Sequence, residues 1–395
     1  MKKVCMVAYT YYLSDPRVRR EAEALAERGD MIDFICLREK KGNPFEVFNG
    51  VSLHRLPQGR YRGSGVFAYV MGYFLFFIRS FLKLNSLYFR QKYDLVHINT
   101  MPDFLVFVAL IPKIFGAKVV LDIHDLMPEL YATKFGLKEN HFFILALRLT
   151  EKISSIFSNY VITVTECLYN VLTERTVKSS KCSVIMNLPD SKIFDRKKIL
   201  LNCNPGSFNL IYHGTIVKRY GLDIAIRAFS LIKEKIPNIR FYIYGKGDAL
   251  PGLINLVKKL KLKDQIYFSR KFLPLEQMPF LIAKANIGIC PRRKSKLTDT
   301  ALSNKLLEYV AMGIPVIVSR TELTESYFDD SMVKFFKPGN EKELAEAILD
   351  LYYHPEKRKE LVNNADRFNQ KYNWEKEKWK YYKIVDNLVK NKVKD

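Results

Sequence analysis

No two of the six cysteines (Cys5, Cys36, Cys167, Cys182, Cys203, Cys290) form a CxxC pair, and none stands close to a histidine. That absence excludes zinc-finger and iron–sulfur readings and fits buried thiols in a reducing compartment. Acidic residues are scarce: 41 Asp+Glu stand against 64 Lys+Arg, a formal net charge of +23 over 395 residues. Such an excess points to an anionic partner, whether nucleic acid, a membrane surface or a phosphorylated small molecule. Internal repeats, low-complexity segments and collagen-like or coiled-coil patterning are missing, and no DxD-like pair or Asp/His cluster calls for a metal. RNP-like aromatic motifs and helix-turn-helix patterns are missing too, which argues against a nucleic-acid-binding protein.

No cleavage-type sequence follows the apolar start of the chain, so Met1–Tyr9 reads as a first strand rather than a signal peptide. The apolar run Val66–Ile78 has 13 residues, about 20 Å as a helix against about 30 Å of bilayer hydrocarbon. Arg79, Lys83, Arg90 and Lys92 follow it, so it suits either a core helix or a segment lying in a membrane interface. The expected location is cytoplasmic, peripheral on the inner face of a membrane.

What is present is an alternation of short apolar runs with helical stretches. Lys3–Tyr9, Ile32–Leu37, Leu95–Asn99, Val119–Ile123 and Val161–Val164 read as buried parallel strands. Asp15-Pro16 opens a helix as N-cap and first helical residue, and Gly29 stops it. A polar stretch, 187–207, forms the best linker. Alternation then resumes with Asn209–His213, Arg240–Tyr244, Ile266–Ser269, Ile287–Cys290 and Pro315–Ser319. The fold class is α/β, with two Rossmann-like doubly wound halves facing each other across a cleft. The expected domains are 1–190 and 205–373, with a final helix over 374–395 packing back on the first. Ligands of such sheets bind beyond the carboxyl ends of the strands.

Candidate residues sit at those ends. Gly214 follows the first strand of the second half, and Lys218-Arg219 precede a helix as a phosphate site would require. Gly245 marks the next strand tip. In TDTALSNKLLEYVAMGIPVIVS, Ser303-Asn304 start a helix, Lys305 lies in its first turn and Glu308 one turn beyond Asn304. Free N–H groups with a lysine make an anion site, and a carboxylate one turn on can accept two neighbouring sugar hydroxyls. Together they describe a nucleotide diphosphate.

SNKLLEYVAMGIPVIVS, HGTIVKRYGLD and YGKGD, in that order, resemble family 4 of the retaining glycosyltransferases. DPRVRREA and DIHDLMPELY resemble one branch of it. The resemblance implies a GT-B fold, a nucleotide-sugar donor, UDP- or GDP-linked, and no cofactor or metal. It implies a saccharide or lipid-linked saccharide acceptor in cell-surface glycan synthesis, and retention of configuration. Arg219 and Lys305 would neutralise the diphosphate, with Gly214, Lys218, Gly245, Ser303 and Asn304 around the donor and Glu308 on its ribose. His124 would face the sugar, and Thr10, Asp15, His97 and Asp125 are acceptor-side candidates. The family commonly carries a second glutamate where this chain has Thr300, beside Asp299, and a lysine where it has Tyr220, so sugar identity does not carry over. A nucleotide-binding scaffold and a GT-B epimerase are the alternative readings.

Overall fold

The computed structural model describes residues 1–39, 42–60, 66–199, 206–295 and 298–390, with the side chains of Val66 and Phe67 left aside. Cys203, residues 201–205 of the expected linker and 391–395 of the expected final helix lie outside them. The chain divides into two compact units, Met1–Asn187 with Glu375–Asp395, and Leu188–Trp374.

The first unit is built on eight strands: β1 Lys3–Ala8, β2 Met31–Leu37, β3 Phe45–Phe48, β4 Val51–Leu56, β5 Leu95–Asn99, β6 Lys118–Ile123, β7 Tyr160–Thr163 and β8 Cys182–Val184. They lie in the order β3-β4-β2-β1-β5-β6-β7-β8, parallel except for β3 against β4. The helices between them are α1 Pro16–Glu27, α2 Val66–Gln91, α3 Leu110–Ile114, α4 Met127–Phe135, α5 Phe142–Phe157 and α6 Glu166–Arg175. Asp15 caps α1, Pro16 occupies its first position, and Gly29 leaves it at φ +91°. β1, β5, β6 and β7 are almost wholly buried, as unbroken apolar runs require.

The second unit has six strands, all parallel: β9 Phe208–His213, β10 Ile239–Tyr244, β11 Ile266–Phe268, β12 Ile287–Cys290, β13 Val316–Ser319 and β14 Lys334–Phe336, in the order β11-β10-β9-β12-β13-β14. Its helices are α7 Leu222–Ile232, α8 Leu250–Lys259, α9 Met278–Ile282, α10 Asn304–Ala311, α11 Glu322–Tyr327, α12 Glu341–Tyr353 and α13 Pro355–Lys371. The last helix, α14 Trp374–Lys390, returns to the first unit. Tyr382 Oη donates to Ala24 O at 2.6 Å, the Glu377 carboxylate accepts from Met186 N at 3.0 Å, and Lys2 pairs with Asp386 at 2.6 Å.

In each sheet the strand order reverses beside the unit's first strand, between β1 and β5 and between β9 and β12. Those reversals leave a crevice at the carboxyl ends of the flanking strands, where doubly wound sheets bind ligands.

Candidate functional site

In the second unit the β9 tip, the loop after β12 and the start of α10 converge. Gly214 adopts φ +106°, and a Cβ there would stand 3.1 Å from Lys305 Cε, so this lysine lies across the strand tip. Two other loop glycines are set by close backbone packing. A Cβ on Gly245 would fall 1.9 Å from the Gly214 carbonyl oxygen, and one on Gly221, at φ +64°, 1.8 Å from that of Pro291. These glycines let backbone pack on backbone. The Gly245 N–H already donates to Ser269 Oγ at 2.9 Å.

Ser303 occupies the N-cap of α10 without capping it, its hydroxyl facing the Cys290 thiol instead. The first-turn N–H groups of α10 thus have no side-chain cap, and Lys305 stands among them. The Lys305 ammonium lies 4.5 Å from the Tyr220 ring centre and 5.1 Å from that of Tyr212. Arg219 and Arg292 approach the same Tyr220 ring at 4.9 and 5.8 Å. Neither Lys305 nor Arg219 pairs with a carboxylate among the described residues. Lys218 is exposed, and Asp299 and Thr300 are half-buried.

One turn along α10, Glu308 is buried, its Oε2 3.1 Å from His213 Nε2. Burial pushes the Glu308 carboxyl up to about 8, against the opposing pull of Lys305. Burial, helped by Lys305, drives His213 down to about 3. Burial thus works against charge on both groups. Tyr309 fixes the helix behind them, donating to Ile211 O at 3.2 Å, with its ring where a Cβ on Gly288 would be.

The first unit gathers its own groups at the tips of β1, β5 and β6. Asp15 accepts from Thr10 Oγ1 at 3.0 Å and takes a two-bond contact from Arg17, at 2.8 and 2.9 Å. Burial would raise the Asp15 carboxyl, but Arg17 and the neighbouring His124 hold it below the usual carboxylate range. Arg17 also feels Asp125. His124 has only 4% of its surface exposed, and both ring nitrogens have neighbours: Nε2 lies 2.7 Å from Asp122 Oδ2 and Nδ1 3.0 Å from Asn187 Nδ2. Arg20 fixes that amide, donating to Asn187 Oδ1 at 3.1 Å. A sugar hydroxyl reaches the His124 nitrogens only by replacing one of these partners.

His97, expected at the acceptor side, is fully buried instead. Its Nδ1 meets Tyr381 Oη of α14 at 2.7 Å, and its Nε2 lies 3.7 Å from Asp122 and 3.8 Å from Glu21. The strand alternation that aims Asp122 inward aims its neighbour on β5 inward too. The sequence offered no Asp/His cluster, yet Glu21, His97 and Asp122 bring three ligand-type atoms within 4.8 Å of one another. The Asn99 side-chain amide lies among them, 2.8 Å from Asp122 and 3.5 Å from Glu21, so a donor stands where a cation would. Burial and the Asp122 charge push Glu21 up to about 7. His54 lies 2.6 Å from Asp33, and His141 caps α5.

Arg17, Asp122, Asn187 and Arg292 join these sites without having been singled out in the sequence. Asp122 was accessible, standing two residues before His124 on the same face of β6.

Two family models match successive stretches of the chain: "Glycosyl transferase 4-like domain" over 14–187 and "Glycosyl transferases group 1" over 194–368. A chitobiosyldiphosphodolichol beta-mannosyltransferase of Kluyveromyces lactis is 24% identical over 327 residues, 74% of this chain and 72% of that protein. An O-antigen biosynthesis glycosyltransferase of Escherichia coli, WclY, is 26% identical over 62% of this chain and 66% of its own length. Among solved structures, sucrose-phosphate synthase from Thermosynechococcus elongatus aligns over 99% of this chain and 100% of its own, at 18% identity and a TM-score of 0.78. Anabaena Alr3699/HepE in complex with UDP-glucose aligns over 98% and 100%, at 14% identity and a TM-score of 0.70. Two successive parallel α/β units of this order are the GT-B architecture, and the chain is a glycosyltransferase of the family-4 type.

Proposed function

We propose that the chain moves a sugar from a UDP- or GDP-linked donor to a saccharide or lipid-linked saccharide acceptor in glycan synthesis. The observation that carries this is the α10 start: uncapped N–H groups, Lys305 without a carboxylate partner and, one turn on, buried Glu308. Lys305, Arg219 and the helix N-terminus take the diphosphate and stabilise its charge as it leaves. Glu308 accepts the two ribose hydroxyls. Gly214, Lys218, Gly245, Ser303 and Asn304 shape the donor's surroundings. In the first unit Thr10, Asp15, Asp125 and His124 belong to the acceptor side, with His124 held by Asp122 and Asn187.

The reaction forms a bond from the acceptor oxygen to the anomeric carbon and breaks that carbon's bond to the diphosphate. The acceptor's proton passes to the departing phosphate oxygen. Front-face attack retains configuration and needs no metal. Relatives named as beta-mannosyltransferase and as alpha-(1-6)-mannosyltransferase both occur, so the product anomer, read by proton NMR, decides the stereochemistry, and turnover unchanged by EDTA decides the metal. We place the enzyme's work at the cytoplasmic face of a membrane, supported by the outer face of α2.

The first test is a thermal-shift panel of UDP, GDP, ADP and their sugar conjugates on wild type and Glu308→Ala. A ligand that binds only the folded state raises Tm by mass action. Stabilisation by one nucleotide class, reduced in the variant, supports the reading; no shift with any nucleotide overturns the donor assignment.

A further inference from the structure

The inner face of α2 packs into the core through Tyr73, Phe76, Leu84 and Tyr88, while its outer face carries Met71, Phe74, Ile78, Leu82 and Phe89 exposed. That stripe steps by three, four and four residues, then repeats two turns later. The exposed residues of α5 keep the same step: Phe142, Leu145, Leu149, Ile153 and Ile156. At 3.6 residues per turn each set lies along one side of its helix. Nothing in the sequence reading had marked α5.

The two stripes belong to one surface. At one end Tyr73 Oη meets Tyr131 Oη at 2.9 Å, and the Tyr131 ring packs on Phe143 of α5. At the other, Phe89 packs on Phe115 at 6.2 Å, and Lys113 lies 4.3 Å from the Phe157 ring. Ile114 and Phe115, at the end of α3 and just after it, are 71% and 58% exposed. The charges on these elements are one-sided. α2 and α3 contain no acidic residue, and the only one on α5, Glu151, is buried against Arg175. Arg79, Lys83, Arg90 and Lys152 supply the cations, while Arg148 is paired with Glu139 at 3.1 Å.

We propose that α5, Ile114–Phe115 and the outer face of α2 form one ledge that seats the first unit in the interface of an anionic bilayer, deepening the membrane reading on which it rests. Apolar ridges enter the boundary between headgroups and acyl chains while the flanking cations meet anionic headgroups. A second copy is a poor occupant, because two such faces would bring the cations of α2 together with Glu139 already paired to Arg148. α2 passes a length and hydropathy test for a membrane span over Ala68–Gln91, but a third of that window is buried in the unit, which fits lying in the interface and not crossing it.

The test uses the full chain in vesicle flotation, with phosphatidylcholine alone and with added phosphatidylglycerol. Wild type floats with the anionic vesicles only. Leu149→Glu/Ile153→Glu, on α5 with α2 untouched, reduces flotation about tenfold or more while keeping its Tm and its nucleotide-induced shift. Flotation of that variant at the wild-type level, or no flotation of wild type, overturns the proposal. So does a wild-type dimer in sedimentation velocity that the variant dissociates, which makes the ledge a self-interface. Flotation as expected with no nucleotide shift in wild type leaves the ledge standing and removes the donor assignment instead.

Discussion

The strand tips of the two units carry similar residue types and treat them in opposite ways. In the first, the buried carboxylates have an opposite charge or a donor beside them: Asp15 with Arg17, Asp122 with His124 and Asn99. In the second, Lys305 and Arg219 lean on aromatic rings, and burial works against charge on both Glu308 and His213. A network whose members satisfy one another is a rigid wall. A cluster of cations at an unfinished helix start is completed by an anion from outside. The contrast is the electrostatic ground for proposing that the diphosphate sits on the second unit.

The largest effect that breaks this comparison is Lys305→Ala. Removing the one cation that shares the α10 start with the free N–H groups takes charge stabilisation from the leaving diphosphate. Turnover falls by about 10²–10³-fold in a steady-state assay, with the fold intact because Lys305 has no buried partner to abandon. A loss below about threefold would return the diphosphate to Arg219 and Lys218.

Asp122→Asn tests the other side. It keeps the shape of the buried cluster but replaces the charged acceptor beside His124 Nε2 with an amide. Turnover falls about tenfold or more as the imidazole loses its orienting charge. The nucleotide thermal shift stays at wild type, since the residue belongs to the first unit. A reduced shift would mean that the two networks are not independent.

How far the sequence revealed these networks depends on which residues share an element. The parallel strands were legible because burial on both faces leaves unbroken apolar runs, and β5 was delimited to the residue. β3 and β4 were not, since His54 and Arg55 interrupt the pattern and find partners, Asp33 and Glu46, on other strands. Glu308 and Lys305 were visible as neighbours on one helix. His213, at the end of β9, meets Glu308 only through packing, and Asn187 meets His124 across 63 residues. Spacing along a chain displays what one helix or strand brings together, and contacts between elements stay hidden.

A smaller effect concerns pH. The free Glu308 carboxyl titrates near 8, and ribose hydroxyls donate best to the carboxylate, so binding favours the ionised form. Nucleotide affinity therefore rises with pH up to about 8, by at most about tenfold per unit. The ligand-free protein moves the other way. A carboxyl raised above its ordinary value stabilises the fold fully below the ordinary range and loses that contribution as pH rises through about 8. Glu21 acts likewise up to about 7, and His213, depressed to about 3, acts only below its ordinary range near 6.5. Glu21 still titrates between about pH 7 and about pH 8, so the Glu308 contribution is the part of that step which Glu308→Gln removes. Titration calorimetry across it gives rising affinity in wild type and a flat response in Glu308→Gln; a wild-type response equally flat would mean that the ribose is not on this carboxylate.

The smallest effect sharpens the role of Tyr220, where the family commonly has a lysine. Its ring stands within 6 Å of three cations, Lys305, Arg219 and Arg292. It holds like charges near one another without contributing a charge of its own, each contact being worth about 0.5–1 kcal/mol at a partly exposed site. Tyr220→Ala frees those cations to spread, and UDP or GDP binding weakens by about three- to fivefold, since the charges remain and only their positioning is lost. Tyr220→Phe keeps the ring and leaves affinity unchanged, which separates the π face from the hydroxyl. Tyr220→Lys adds a charge but removes the surface that gathers the others. If it binds nucleotide more tightly than wild type, charge number governs the site. If it binds no better than the alanine variant, the ring is what makes this cluster a diphosphate site without the usual lysine.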